Sequence, residues 1–231
     1  MDWSRAIDSY CERIAPGYWG EPLNLVSNLA FLVAAGVAWR LSAGDRIGRI
    51  LAALIAVIGV GSWLFHAHAQ MWALLADVVP IQTFVLVCIA AATTRFFAVP
   101  VWAGAAAALA FLPAAALVTR TIAALAGPLN GSVAYLPVAL MIAGYAVALH
   151  RRAPATARGL GGAAALLGLS LAFRTIDMAV CPAWPWGTHA VWHGLNAVVL
   201  AWMVRILVRH DPTPRRRHTG PEKPNEKPPT T

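Results

Sequence analysis

The sequence predicts an all-α polytopic membrane protein, a bundle of seven transmembrane helices with the N-terminus outside and the C-terminus in the cytoplasm. Three observations carry this expectation. Of the 231 residues, 59% are apolar and 12% are charged, whereas an ordinary soluble domain has about 45–50% and about 25%. A soluble fold would have too few charges to cover its surface, and a disordered chain would not be so apolar. The apolar residues collect into seven runs, and the basic residues fall overwhelmingly on one side of them.

A hydrocarbon core of about 30 Å needs about 20 mainly apolar residues per helix. The runs are 23–41, 50–65, 71–94, 101–118, 133–149, 159–173 and 188–208. The first follows an acidic lead-in, and Glu21, Asn24 and Asn28 recur at i, i+3 and i+7, so they share a face that should point into the bundle. The second closes on His66 and His68. The third carries Asp77 in its first turns, then Pro80 and Cys88. Pro113 and Pro137 fall in the fourth and fifth, which lipid helices tolerate when neighbours satisfy the freed backbone. The sixth is short and is expected to extend past Arg174. The seventh opens on His189 and His193. The first 20 residues carry Asp2, Arg5, Asp8, Glu12 and Arg13 and lack the apolar stretch of a signal peptide. Residues 1–210 are therefore taken as one membrane domain and 211–231 as a disordered basic cytoplasmic tail.

Seven crossings put the termini on opposite sides, and the positive-inside rule sets the orientation. One side holds Arg40, Arg46, Arg49, Arg95, Arg151, Arg152, Arg158 and the seven basic residues from Arg205 onward, 14 of the 18 in the chain. The other side holds Arg5, Arg13, Arg120 and Arg174. The net charge of +8 is thus mostly topological and calls for no nucleic-acid partner, and no obligate protein partner is evident.

An ionisable residue inside a span is costly and by default marks function. His189-Ala-Val-Trp-His193 is an i, i+4 pair, which stacks two imidazoles on one helical face, with Asn196 further along it. On the predicted topology His66, His189, His193 and Asp77 lie at one depth on the outer side. Three histidines with an open position are a catalytic zinc layout. The pair lacks the Glu of H-E-x-x-H, so the base must come from elsewhere, and Asp77 is the carboxylate nearby. Ser62 stands one turn before His66. His68 reads as an interfacial histidine, and most of the Trp residues near run ends as an interfacial belt. Asp8, Glu12 and Glu21 admit two readings, oxygen ligands for a hard cation or a solvated acidic lead-in. Cys11 and Cys181 both fall on the outer side, where an oxidising compartment permits the disulfide expected between them.

Five blocks in this order and spacing resemble the alkaline ceramidase family, within a superfamily of seven-helix membrane hydrolases that includes the adiponectin and progestin receptors. They are Tyr10-Cys11-Glu12; Glu21-Pro-Leu-Asn24-Leu-Val-Ser27-Asn28; Ser62-x-x-x-His66 followed by Asp77; Ile176-Asp177 with Cys181; and His189-x-x-x-His193. The resemblance implies a zinc amidase that cleaves the N-acyl bond of ceramide to a sphingoid base and a fatty acid. His66, His189 and His193 match its zinc ligands, Ser62 and Asp77 its catalytic serine and aspartate, and Cys11 and Cys181 its outer-side cysteines. Asp177 is expected to pair with Arg174, three residues away.

The family's calcium stretch is matched only in part. Glu12 and Glu21 match, Tyr10 replaces a Trp, Ser9 falls where an Asp is expected, Asp8 is one residue early, and Ile14 stands where the family has Asn. Either Asp8, Glu12 and Glu21 hold calcium, or Arg13 replaces it as an internal charge. The alternatives to a ceramide amidase are a lipid-binding receptor or sensor with a structural zinc, and an acyl hydrolase for another N-acyl or O-acyl lipid. An Arg-to-Lys ratio of 16 to 2 and short loops point to a bacterial chain. The expected location is then the inner membrane, with the metal site toward the periplasm.

Overall fold

The computed structural model describes residues 2–210, so the expectation for 211–231 lies outside the described residues. The described chain is helical: α1 Pro22–Ser27, α2 Leu29–Leu41, α3 Arg46–His68, α4 Met71–Phe97, α5 Val101–Ala126, a 3-10 segment Leu129–Ala134, α6 Leu136–Leu149, α7 Pro154–Val180 and α8 His189–Val208. No strand forms among the described residues beyond an isolated bridge between Ala6 and Gln70. Among the described residues six helices are long and apolar enough to cross a membrane, with α1 and α2 counted together over Pro22–Leu41. This architecture fits a multi-pass integral membrane protein.

Several of the expected runs differ in length: those at 50–65 and 101–118 become helices of 23 and 26 residues, and two others show why. The run at 133–149 yields α6, a helix of 14 residues and so about 21 Å long. Leu129, Asn130 and Gly131 adopt left-handed backbone ahead of it, and the 3-10 segment they open takes in Val133 and Ala134, so the helix starts at Leu136. Pro137 sits in the first turn of α6, where its missing N–H costs nothing. The run at 159–173 lies within the 27 residues of α7. That helix continues through Arg174 and Asp177 because both find partners inside the protein.

Each end of the bundle is fastened by charge. Asp45 caps α3 by accepting from the Gly48 N–H at 2.8 Å, and it also receives both terminal nitrogens of Arg95 at the end of α4. At the opposite end, where α3 and α8 bring their histidines together, residues 2–21 fold across the helix ends. The Ile7 N–H donates to the Ala69 carbonyl at 2.7 Å. The core between these ends is Phe31, Leu51, Ile55, Ile58, Phe84, Leu160, Val204 and their neighbours.

Candidate active site

Helix α3 ends just after His66, α4 begins just before Asp77, and α8 begins at His189, so three helix ends converge. His66, His189 and His193 are buried, with relative exposures of 1%, 1% and 0%. One nitrogen from each lies within 4.8 Å of the others. Nδ1 of His189 and Nε2 of His193 are buried without any hydrogen-bond partner. Two orphaned imidazole nitrogens would be expensive in a dry interior, and a metal ion satisfies both, so the donor set fits zinc.

The other nitrogens of two histidines are already oriented. Nδ1 of His66 lies 2.5 Å from Glu21 Oε2, and Nδ1 of His193 lies 2.6 Å from the Ser27 hydroxyl. A carboxylate behind a ligating histidine fixes its tautomer and raises its basicity. His189 is held by rings: Tyr10 stacks on it with centroids 3.8 Å apart and Trp192 at 4.8 Å.

Ser62 and Asp77 are both buried, at 2% and 8% exposure, and they face each other where α3 crosses α4. The crossing is close because residue 61 is glycine. A Cβ there would lie 2.0 Å from the Ala76 carbonyl oxygen and 3.2 Å from the Asp77 Cα. Asp77 Oδ1 has no hydrogen-bond partner and is free to accept a proton or a donor. His68, by contrast, is exposed and packs its ring near Tyr18 and Trp72, apart from the site.

The carboxylates considered for calcium do not gather into one cluster. Asp8 is exposed. Glu12 accepts from the N–H groups of Leu23 and Asn24, at 2.5 and 2.7 Å, and so caps α1, whose own N-cap makes no side-chain bond. Burial raises the Glu12 carboxyl above its ordinary value, partly offset by those two donors. Glu21 binds Arg13, Asn24 Nδ2 and His66. Its burial favours the neutral acid, but these donors outweigh that and hold its carboxyl below the usual value. Arg13 also donates to the His66 carbonyl at 2.9 Å. Among the described residues the three histidines are the one group able to hold a metal through three such side chains. Ile14 is 86% exposed.

The expected Asp177–Arg174 pair does not form. Asp177 Oδ1 accepts from the N–H groups of Thr188 and His189 at 2.6 and 2.9 Å, and Oδ2 from that of Cys11 at 3.1 Å. A carboxylate on α7 therefore caps α8, where the helix dipole favours negative charge, and aims His189. Gly187 leaves room for it, since a Cβ there would sit 2.3 Å from Asp177 Oδ1. Cys11 and Cys181 form a disulfide with Cα atoms 5.4 Å apart. It fixes the N-terminal segment beside the cap.

An apolar cavity begins next to the histidines at Phe31 and Trp192 and runs between α4, α6 and α8 to Ala92, Tyr145 and Met203. Phe31 is edge-on to His193 with centroids 5.8 Å apart. From Ile81 to Ala92 the lining follows α4 for about 16 Å at 1.5 Å per residue.

A protein-family model described as Ceramidase matches residues 6–218. A comparison with curated proteins finds no match.

Proposed function

The chain belongs to the ceramidase family, and on that premise we propose that it is a zinc-dependent intramembrane amidase. It hydrolyses the N-acyl bond of ceramide or a related N-acyl lipid to a fatty acid and an amine. The observation that carries this reading is the pair of orphaned nitrogens on His189 and His193, beside Asp77 and at the end of an apolar cavity long enough for much of an acyl chain.

His66, His189 and His193 would hold the ion. Zinc on three neutral imidazoles supplies Lewis acidity at neutral pH. The chain's own residues do the rest. Asp77, with Oδ1 unpartnered, accepts a proton from the attacking water and returns it to the leaving amine. The Ser62 hydroxyl, one turn from His66, donates to the oxygen that gains charge as the amide carbon becomes tetrahedral. Glu21 and Ser27 keep His66 and His193 in the tautomers that leave their other nitrogens free to ligate. Tyr10 and Trp192 hold the His189 ring in place. Arg13 supplies the positive charge beside Glu21, so no calcium is required. The cavity takes a lipid chain, which gains about 0.8 kcal/mol per buried methylene.

The topology that suits this chemistry has seven crossings, α6 being the short one, with the N-terminus and histidines on the periplasmic side of a bacterial inner membrane. Exposed Trp3, Trp19, Trp184 and Trp186 at the histidine end agree with a headgroup-level belt. The test is to incubate purified protein with a panel of N-acyl lipids, with and without chelator, and to identify the products by mass spectrometry. Fatty acid should appear, disappear on chelation and return with zinc, and Asp77→Asn should abolish it. Turnover that survives chelation, or a fully active Asp77→Asn, overturns the reading.

A further inference from the structure

Arg174 is a cation that the proposed reaction does not use. It lies on α7, with Cζ 4.9 Å from the Trp192 ring centroid, 5.4 Å from that of Tyr135 and 5.7 Å from that of Tyr10. Its one side-chain hydrogen bond among the described residues is a long one, from Nη1 to the Tyr10 hydroxyl at 3.5 Å. Nε is sealed from solvent without a partner, and no hydrogen bond from Nη2 forms among the described residues. The nearest acids do not neutralise it. Asp177 is spent on the α8 cap, and Asp77 is near enough to interact with its charge but makes no ion pair with it among the described residues.

Three aromatic faces lower the cost of keeping a guanidinium here, but a ring face offers no acceptor for an N–H. The Nε–Nη2 edge, two parallel donors in a rigid fork, is the edge that meets a carboxylate side-on. Residue 131, packed beside Nη2, is glycine, and a Cβ there would lie 3.1 Å from that nitrogen and crowd it. Trp192 and Tyr135, two of the rings around the guanidinium, also line the apolar cavity, and Trp192 stacks on His189. A cation with an unpartnered Nε therefore stands behind two of the rings that line the histidine end of the apolar cavity.

We propose that Arg174 forms a carboxylate-binding subsite at the histidine end of the cavity. An amphiphile with its chain in the cavity would place its carboxylate on the Nε–Nη2 edge. The carboxylate could come from the released fatty acid or from the headgroup of an N-acyl amino acid. Binding of a carboxylate at Arg174 does not rest on the amidase reading; its assignment to product or headgroup does.

The experiment compares binding of oleate and of oleyl alcohol to the protein in nanodiscs, zinc-loaded for wild type, Arg174→Gln and Arg174→Lys, and metal-free for His193→Ala. Wild type should prefer oleate by about tenfold or more, as a charge-assisted bidentate contact provides. Arg174→Gln should lose the preference, Arg174→Lys should keep part of it, and His193→Ala should keep it. A wild-type protein that binds the two equally overturns the proposal, and needs no variant to do so. Loss of the preference in His193→Ala with its retention in Arg174→Gln also overturns it, because the metal would then be the anion site. The second arm compares hydrolysis of N-oleoylglycine and N-oleoylethanolamine. A glycine preference that vanishes in Arg174→Gln assigns the subsite to the headgroup, and equal rates alongside the oleate preference assign it to the product. If neither lipid nor ceramide is cleaved while the oleate preference stands, the subsite survives and the amidase reading fails.

Discussion

Glu21 reaches a histidine and an arginine in the structure, and that changes what its removal should do. The carboxylate fixes the His66 ring by accepting from Nδ1, so Glu21→Gln should weaken metal binding about 10- to 100-fold while leaving the fold in place. Equilibrium dialysis against a graded chelator, with metal content read by atomic emission, measures it. An unchanged metal affinity would show that His66 needs no partner. The three-histidine cluster was legible in the sequence because i, i+4 spacing is a local signal and because ionisable residues are scarce in the spans. The burial of Ser62 and Asp77 near it was legible for the same reason. Arg13 as an internal charge beside Glu21 was one of two readings the sequence offered, whereas Tyr10 as a stacking surface and Asp177 as a cap were not legible, since each acts on a residue in another element. Asp177 was assigned to Arg174 because that residue was near in sequence, whereas backbone N–H groups at the start of α8 were the stronger attraction.

At the scale of elements, the site depends on two helices crossing closely and on a third being stopped correctly. Gly61→Ala would push α3 off the Ala76 carbonyl. It should cost about 1–3 kcal/mol as overpacking and lower kcat by displacing Asp77 from Ser62, and thermal unfolding in detergent with initial rates would separate the two effects. The other end of the bundle offers a pH test. Hydrogen bonding to Arg95 holds the Asp45 carboxyl below its ordinary value. Stability from that carboxylate is therefore complete above the unfolded value, about 3.9, and is lost as the pH falls through the lower folded one. Asp45→Asn keeps a capping residue but removes the charge. It should lower Tm at pH 7, with the gap to wild type closing below about pH 4. Helix existence was readable from hydropathy, as was the extension of α7 past Arg174, but the starts of α6 and α7 were not. Left-handed residues before α6 are a tertiary fact that a window of residues does not contain.

Across the whole molecule, the N-terminal segment works as a strap. It supplies Tyr10, Cys11, Glu12 and Arg13, and the Cys11–Cys181 disulfide closes a separation of 170 residues. Cys11→Ser should lower stability by about 2–5 kcal/mol and leave activity at low temperature nearly intact, which unfolding with and without reductant would reveal. The disulfide was foreseen from two cysteines on one predicted side, and the apolar cavity was not, because its lining of Phe, Ile and Leu looks like any membrane core until the helices are placed.

The strap also sets a schedule for biosynthesis. Residues 10–13 leave the ribosome first, yet Asp177, Cys181 and His189, which some of them must bind, are among the last to emerge. Until α7 is finished Cys11 has no Cys181 to join, and until α8 is made Tyr10 has no His189 ring to cover. A chain halted before the end of α7 thus displays an unpaired Cys11 and an uncovered Tyr10 outside the helices. Such a segment gives proteases a marker of incomplete synthesis, and only a finished chain hides it.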